Sequence, residues 1–152
     1  ERNGVEYFFF FFYTFNAHGR HGRVIEDRAY DTPHGIWRYA TVDDGQVELR
    51  EADYLVIGTL ESYHRMREYY GEDNVRPIYI EVEDGERLTR ALEREKGRKV
   101  PGYAELCRRY LADMVDYSEE NLAKAGIGKR YLNYDRTRCL EEIIGEIQNG
   151  KL

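Results

Sequence analysis

The chain has 152 residues, with 29 acidic against 23 basic side chains for a formal charge of −6, and is 41% hydrophobic. That length fits one domain with a core of its own. The acidic balance argues against broad nucleic-acid binding, which needs a basic face to neutralise phosphates, but it leaves room for a small anion held by a few arginines. The two cysteines, Cys107 and Cys139, are too few for a disulfide framework. Both fall in predicted helices with apolar neighbours and read as core thiols in a reducing, cytoplasmic compartment. No apolar stretch reaches the length of a membrane span, and the run from Phe8 to Phe12 lacks the basic flank and cleavage site of a signal peptide.

In chain order, residues 7–15 are almost wholly aromatic, with phenylalanine at every position from Phe8 to Phe12. A strand buried on both faces can be this apolar, although close packing usually mixes side-chain sizes. Residues 16–23 hold His18 and His21. No cysteine or carboxylate joins them, so they read as a solvated loop rather than a metal pair. Residues 24–41 crowd polar and aromatic side chains together, among them Glu26, Arg28, Trp37, Arg38, Tyr39 and Thr41. Asp43, Asp44 and Gly45 signal a turn.

Tyr54, Leu55, Val56 and Ile57 form a short apolar run between Asp53 and Gly58, which predicts a buried parallel strand. Residues 61–70 read as a helix ended by Gly71. Residues 75–82 read as the next strand, with Pro77 placing it at a sheet edge or the proline early in it. Residues 85–96 form a charged helix, 97–102 a loop, and 103–125 a long helix with a break near Ser118. Residues 130–133 give a short strand. Asp135 can cap the last helix, whose Leu140, Ile143, Ile144 and Ile147 share one apolar face. Strands alternating with helices predict an α/β fold with a parallel sheet.

This order resembles the later half of a nucleotide kinase, a fold whose first strand leads into a phosphate loop, G-x-x-x-x-G-K-[ST]. No such loop occurs in these residues. The nearest run, Gly126, Ile127, Gly128 and Lys129, is followed by Arg130, and Ala123 stands where the first glycine belongs.

Several stretches together resemble the guanylate kinase family over essentially the whole chain. Residues 4–9, Gly-Val-Glu-Tyr-Phe-Phe, resemble the start of its GMP-binding region. Val24, Ile25 and Glu26, followed by Tyr39, Ala40 and Thr41, resemble its guanine-reading glutamate and its tyrosine–glycine–threonine turn. Residues 88–111, with Arg90, Arg94, Arg108 and Arg109, resemble its arginine-bearing lid and the helix after it. Residues 131–135 resemble its last strand and asparagine. The resemblance implies a single domain with a P-loop nucleotide kinase-like parallel sheet. It places a GMP-binding region at 1–45, core at 46–85 and 113–152, and a helical lid at 86–112. In the family, the phosphate loop with its strand and helix, and an arginine pair for the GMP phosphate, come before the region matched by Glu1. The N-terminal strand and phosphate loop are therefore expected to be absent from this chain.

By the same resemblance, Glu26 reads guanine. A carboxylate accepts from N1–H and the exocyclic amine, a donor pair that adenine lacks. Tyr7 and Tyr39 would bond the GMP phosphate, and Thr41 the base. Arg90, Arg94 and Arg109 would supply the fixed positive charge that phosphoryl transfer needs, and Asn133 would belong to the ATP side. Plainer alternatives stand beside these roles: core or surface tyrosines, a surface acid at Glu26, and helix salt bridges from Glu86, Glu93 and Glu95. One departure matters. Thr59 takes the place of an acid that helps the family read guanine, and a threonine accepts a hydrogen bond without carrying charge. The implied activity is phosphate transfer from ATP to GMP or dGMP with Mg²⁺, with these residues alone inactive for want of the phosphate loop. The competing reading is a catalytically silent module of the same fold that binds a phosphorylated or acidic partner. No oligomeric state is implied.

Overall fold

The computed structural model describes residues 23–32 and 35–150. The chain divides into two compact units, Glu1–Val75 and Arg76–Leu152.

In the first unit, β1 (Val24–Thr32) and β2 (Gly35–Val42) pair antiparallel. The Asp43 N–H donates to the Arg23 carbonyl at 2.7 Å and closes the base of the pair. The register shifts between Val24 and Glu26. Such a bulge re-aims side chains, and here the consecutive residues Ile25 and Glu26 are both buried.

α1 (Leu60–Tyr70) begins at an N-cap in which the Thr59 hydroxyl accepts from the Ser62 N–H at 3.3 Å. It ends at Gly71, whose φ of 92° suits glycine alone. Just before the helix, a Cβ on Gly58 would lie 3.0 Å from the Ser62 Cβ, so glycine lets the chain turn tightly into the first turn. At the far end, the Tyr69 hydroxyl donates to Asp43 Oδ2 at 2.7 Å. A short 3-10 turn, Glu72–Asn74, follows.

The second unit runs β3 (Ile80–Glu81), α2 (Asp84–Lys96), α3 (Tyr103–Asp116), α4 (Glu119–Lys124), β4 (Tyr131–Leu132) and α5 (Arg136–Gln148). β3 and β4 are parallel, with Ile80 opposite Tyr131 and Glu81 opposite Leu132. The Tyr131 and Asn133 N–H groups donate to the Tyr79 and Glu81 carbonyls at 2.9 and 2.8 Å. Tyr131, Cys139 and Ile143 form the buried cluster, with Ile78 and Ile147 packed on it. The Tyr131 hydroxyl donates to Glu146 Oε2 at 2.8 Å; burial first, and this bond second, push its pKa up. Arg130 fastens the pair from outside, with Nη1 donating to Glu81 at 3.0 Å and to Glu119 at 2.8 Å. α2 and α3 meet where the Arg87 guanidinium lies over the Tyr110 ring at 4.4 Å.

The architecture is mixed α/β, with the helices close to their expected places. The parallel sheet is smaller than expected, a pair of strands in the second unit. Tyr54, Leu55, Val56 and Ile57 do not form the expected buried strand: Leu55 is 82% and Ile57 103% exposed. An apolar run supplies a reason for burial but not the backbone partner a strand requires, and none of the described strands pairs with it. The strand expected at 75–82 contracts to Ile80–Glu81, beyond Pro77, which has no N–H for a ladder. The long helix breaks between α3 and α4, where the Val115 carbonyl accepts from the Ser118 N–H at 3.2 Å and from Asn121 Nδ2 at 2.9 Å. Cys107 is exposed rather than a core thiol, whereas Cys139 is buried. On the apolar face of α5, Leu140 and Ile144 stay largely exposed. The β1–β2 pair occupies a stretch, residues 24–41, for which the sequence predicts no element. The expectations on residues 7–22 fall outside the described residues. Among the described residues, no helix is long and apolar enough to cross a membrane.

Two substitutions test these supports. The hydrogen bond from Tyr69, and secondarily that from the Gly45 N–H, hold the Asp43 carboxyl below its ordinary range. A carboxylate with a depressed folded pKa contributes stability above its unfolded value, and that contribution is lost as the pH falls through the folded one. Tyr69→Phe should therefore move the Asp43 titration, followed by NMR, upward; an unmoved titration would remove the tie between α1 and the β1–β2 pair. The Asp135 side chain accepts from the Thr137 and Arg138 N–H groups at 2.9 and 3.0 Å. Asp135→Ala should cost about 1 kcal/mol in urea denaturation, and an unchanged midpoint would contradict the cap.

Candidate functional site

In an antiparallel pair, residues directly opposite share a face, as do residues two apart on one strand. Glu26 lies opposite Thr41, and Arg28 opposite Tyr39. These four positions therefore occupy one face of the pair. Asp27 and Arg38 lie on the other face and form an exposed ion pair there.

Glu26 is the buried centre of this face, with its side chain 3% exposed. Its Oε1 accepts twice, from Arg28 Nη2 at 3.0 Å and from the Thr41 hydroxyl at 3.2 Å. Its Oε2 is buried and has no hydrogen-bond partner among the described residues. Removing a carboxylate from water is costly unless a counter-charge and hydrogen bonds replace the water. Arg28 supplies the charge, and it reaches further: Nη1 donates to the Thr59 hydroxyl at 3.3 Å. Thr59 Oγ1 also lies 3.3 Å from Ser62 Oγ, and Ser62 is itself buried. A continuous chain of polar contacts thus runs from Thr41 through Glu26, Arg28 and Thr59 to Ser62. It joins the face of the β-pair to the start of α1.

The second unit places the remaining candidates. Arg90 Nε donates to Glu86 Oε1 at 2.7 Å, and its Nη2 to the Asn133 carbonyl at 3.0 Å. Asn133 Oδ1 is buried without a partner among the described residues. Arg94 is exposed in the last turn of α2. Arg109 is 72% exposed, and its Nε donates to Glu105 Oε1 at 2.7 Å. Arg108 first and Arg109 second pull the Glu105 carboxyl down to about 2.

The structure thus brings Glu26, Thr41 and Thr59 into one polar chain, with Tyr39 on the same face, and joins Arg90 to Asn133. It leaves Arg94 and Arg109 on exposed helix surfaces, Arg109 paired with an acid of its own helix. Tyr7 falls outside the described residues. Sequence reasoning overlooked Arg28 and Ser62. The signal for Arg28 was its place two residues from Glu26, which puts both on one face if the segment is a strand. Ser62, three residues after Thr59, follows from the spacing of an N-cap.

Among the described residues, no three His, Cys, Asp or Glu side chains converge to hold a metal ion. Beside Thr59, the Arg28 guanidinium supplies the neighbouring positive charge. Comparison with family models, with curated proteins and with solved structures finds no match to this chain.

Proposed function

We propose that this chain carries the nucleotide-recognition part of a nucleoside monophosphate kinase of guanylate kinase type, in a P-loop kinase-like fold, with GMP or dGMP as the phosphate acceptor. The observation that carries the reading is the buried Glu26 carboxylate, with one oxygen saturated by Arg28 and Thr41 and the other buried without a partner among the described residues. A buried acceptor without a partner suits a ligand N–H donor. In a purine held by its sugar and phosphate, N1–H of a 6-oxopurine would meet Glu26 Oε2, and O6 would face the Arg28 guanidinium. Adenine in the same pose turns a lone pair toward the carboxylate and an amine toward the arginine, so both contacts become repulsive. Asn133 Oδ1, buried beside the Arg90 contact without a partner among the described residues, suits the amine of a donor base such as that of ATP.

Phosphoryl transfer rests on positioning and fixed charge around the donor phosphates. These residues contain no phosphate loop, and Arg90 and Arg109 are paired with acids of their own helices. The second reading is a catalytically silent module of the same fold that binds a phosphorylated or acidic partner; the pairing of Arg90 and Arg109 with acids of their own helices supports the silence.

Calorimetry separates nucleotide recognition from other roles. GMP should bind, with AMP at least about tenfold weaker. Glu26→Gln, which loses a charge-assisted bond, should weaken GMP by about 10- to 100-fold. Equal affinity for GMP and AMP, or an unchanged Glu26→Gln variant, would refute the site. With Mg-ATP and GMP, these residues should release ADP only at background rate, whereas robust turnover would show that the donor phosphates are held without a phosphate loop.

A further inference from the structure

The open and filled oxygens of Glu26 reach beyond that reading to the identity of the base. A carboxylate reads the guanine edge most fully with both oxygens, one for N1–H and one for the 2-amino group. Each carboxylate oxygen offers about two lone pairs. Oε1 already accepts two hydrogen bonds, from Arg28 Nη2 at 3.0 Å and Thr41 Oγ1 at 3.2 Å. Neither donor is loosely placed: Arg28 is held a second time through Thr59, and Thr41 is fixed opposite Glu26 by the strand register. Only Oε2, buried and without a partner among the described residues, remains for the base.

We propose, resting on the nucleotide-site reading above, that this site recognises the 6-oxo lactam edge of a purine and not the 2-amino group. Its ligand class is then the 6-oxopurine nucleoside monophosphates, with IMP accepted alongside GMP. One open acceptor takes N1–H, common to both bases. The adjacent guanidinium suits O6, also common to both. The 2-amino group, which distinguishes guanine from hypoxanthine, meets an oxygen whose lone pairs are occupied.

Calorimetric titration of the chain with GMP, IMP and AMP tests this. The dissociation constants of GMP and IMP should differ by less than about tenfold, and a preference for GMP of about tenfold or more overturns the proposal. If GMP and IMP both fail to bind, or bind no better than AMP, the nucleotide-site reading itself fails and takes the proposal with it. A preference for GMP over both AMP and IMP rejects the proposal alone. Thr41→Val removes one of the two hydrogen bonds to Oε1 while keeping the side-chain volume. It should increase the preference for GMP over IMP several-fold, whereas Thr41→Ser should leave it as in the wild type. An unchanged ratio in folded Thr41→Val overturns the explanation by a filled oxygen; if that variant does not fold, the wild-type ratio still decides.

Discussion

The first unit depends on one guanidinium. Arg28 is the element that makes a buried Glu26 tolerable, because a carboxylate withdrawn from water needs both a counter-charge and hydrogen bonds in exchange. It delivers these from its neighbouring place on the same strand face, with the other end of its fork on Thr59. The fork geometry is what allows a single side chain to serve two partners on different elements. The bulge at the start of β1 is part of the arrangement. Without the register shift between Val24 and Glu26, strict alternation would send one of Ile25 and Glu26 outward. With it, an apolar side chain and a charged one enter the interior side by side. Losing Arg28 would therefore do more than remove a surface charge, since the carboxylate would be left buried and unpaired, which typically costs about 3–5 kcal/mol.

The second unit solves a different problem, that of holding a parallel pair too short to hold itself. Side chains take over the task. Tyr131, fully buried, fills the space between β4 and α5, and its hydroxyl is anchored on Glu146. Lys129 pairs with the same carboxylate and lies over the Tyr131 ring. Arg130 binds Glu81 on β3 and Glu119 on α4, and Arg90 ties α2 to the residue after β4. These exposed or half-exposed ion pairs are individually weak. Their effect lies in geometry, since of three successive residues Lys129 and Tyr131 fasten the strand to Glu146 on α5, and Arg130 fastens it to Glu81 on β3 and Glu119 on α4.

Which parts could be read from the sequence follows from which parts are local. The helices were legible because their signals are carried within one turn: Asp135 before α5, Gly71 after α1, Ser118 at the break between α3 and α4. The strands were legible only in part, because a strand is completed by a partner elsewhere in the chain: the short strand expected at 130–133 forms as β4, and the one expected at 75–82 survives only as β3. The apolar run at 54–57 showed the composition of a buried strand and stands exposed. The β1–β2 pair showed no clean alternation of apolar and polar residues, since its inward face carries Glu26, Arg28 and Thr41, which satisfy one another rather than an apolar core. Glu26, Thr41 and Thr59 were found as candidates through the family resemblance. Arg28 was missed because the resemblance singled out no residue at its position, and an arginine near aspartates reads as surface.

Thr59 and Arg28 are best understood together. Where the resembled family carries a second acid near its guanine-reading glutamate, this chain has a threonine, and two strand residues from Glu26 it has an arginine. Two acids would give a doubly negative pocket, able to draw in a cation or an electropositive base edge. A glutamate and an arginine offset each other's charge, so that any ligand meeting them would be selected by the direction of each donor and acceptor. Under the proposed reading, such an arrangement would discriminate by pattern, acceptor beside donor, because a mismatched ligand leaves a buried group unpaired. The hydroxyl of Thr59 suits this arrangement better than a carboxylate would. It accepts from Arg28 without competing with Glu26 for the guanidinium's charge, and it still caps α1 through Ser62. One residue therefore sets both where the helix begins and how far the arginine's charge remains committed to the buried glutamate.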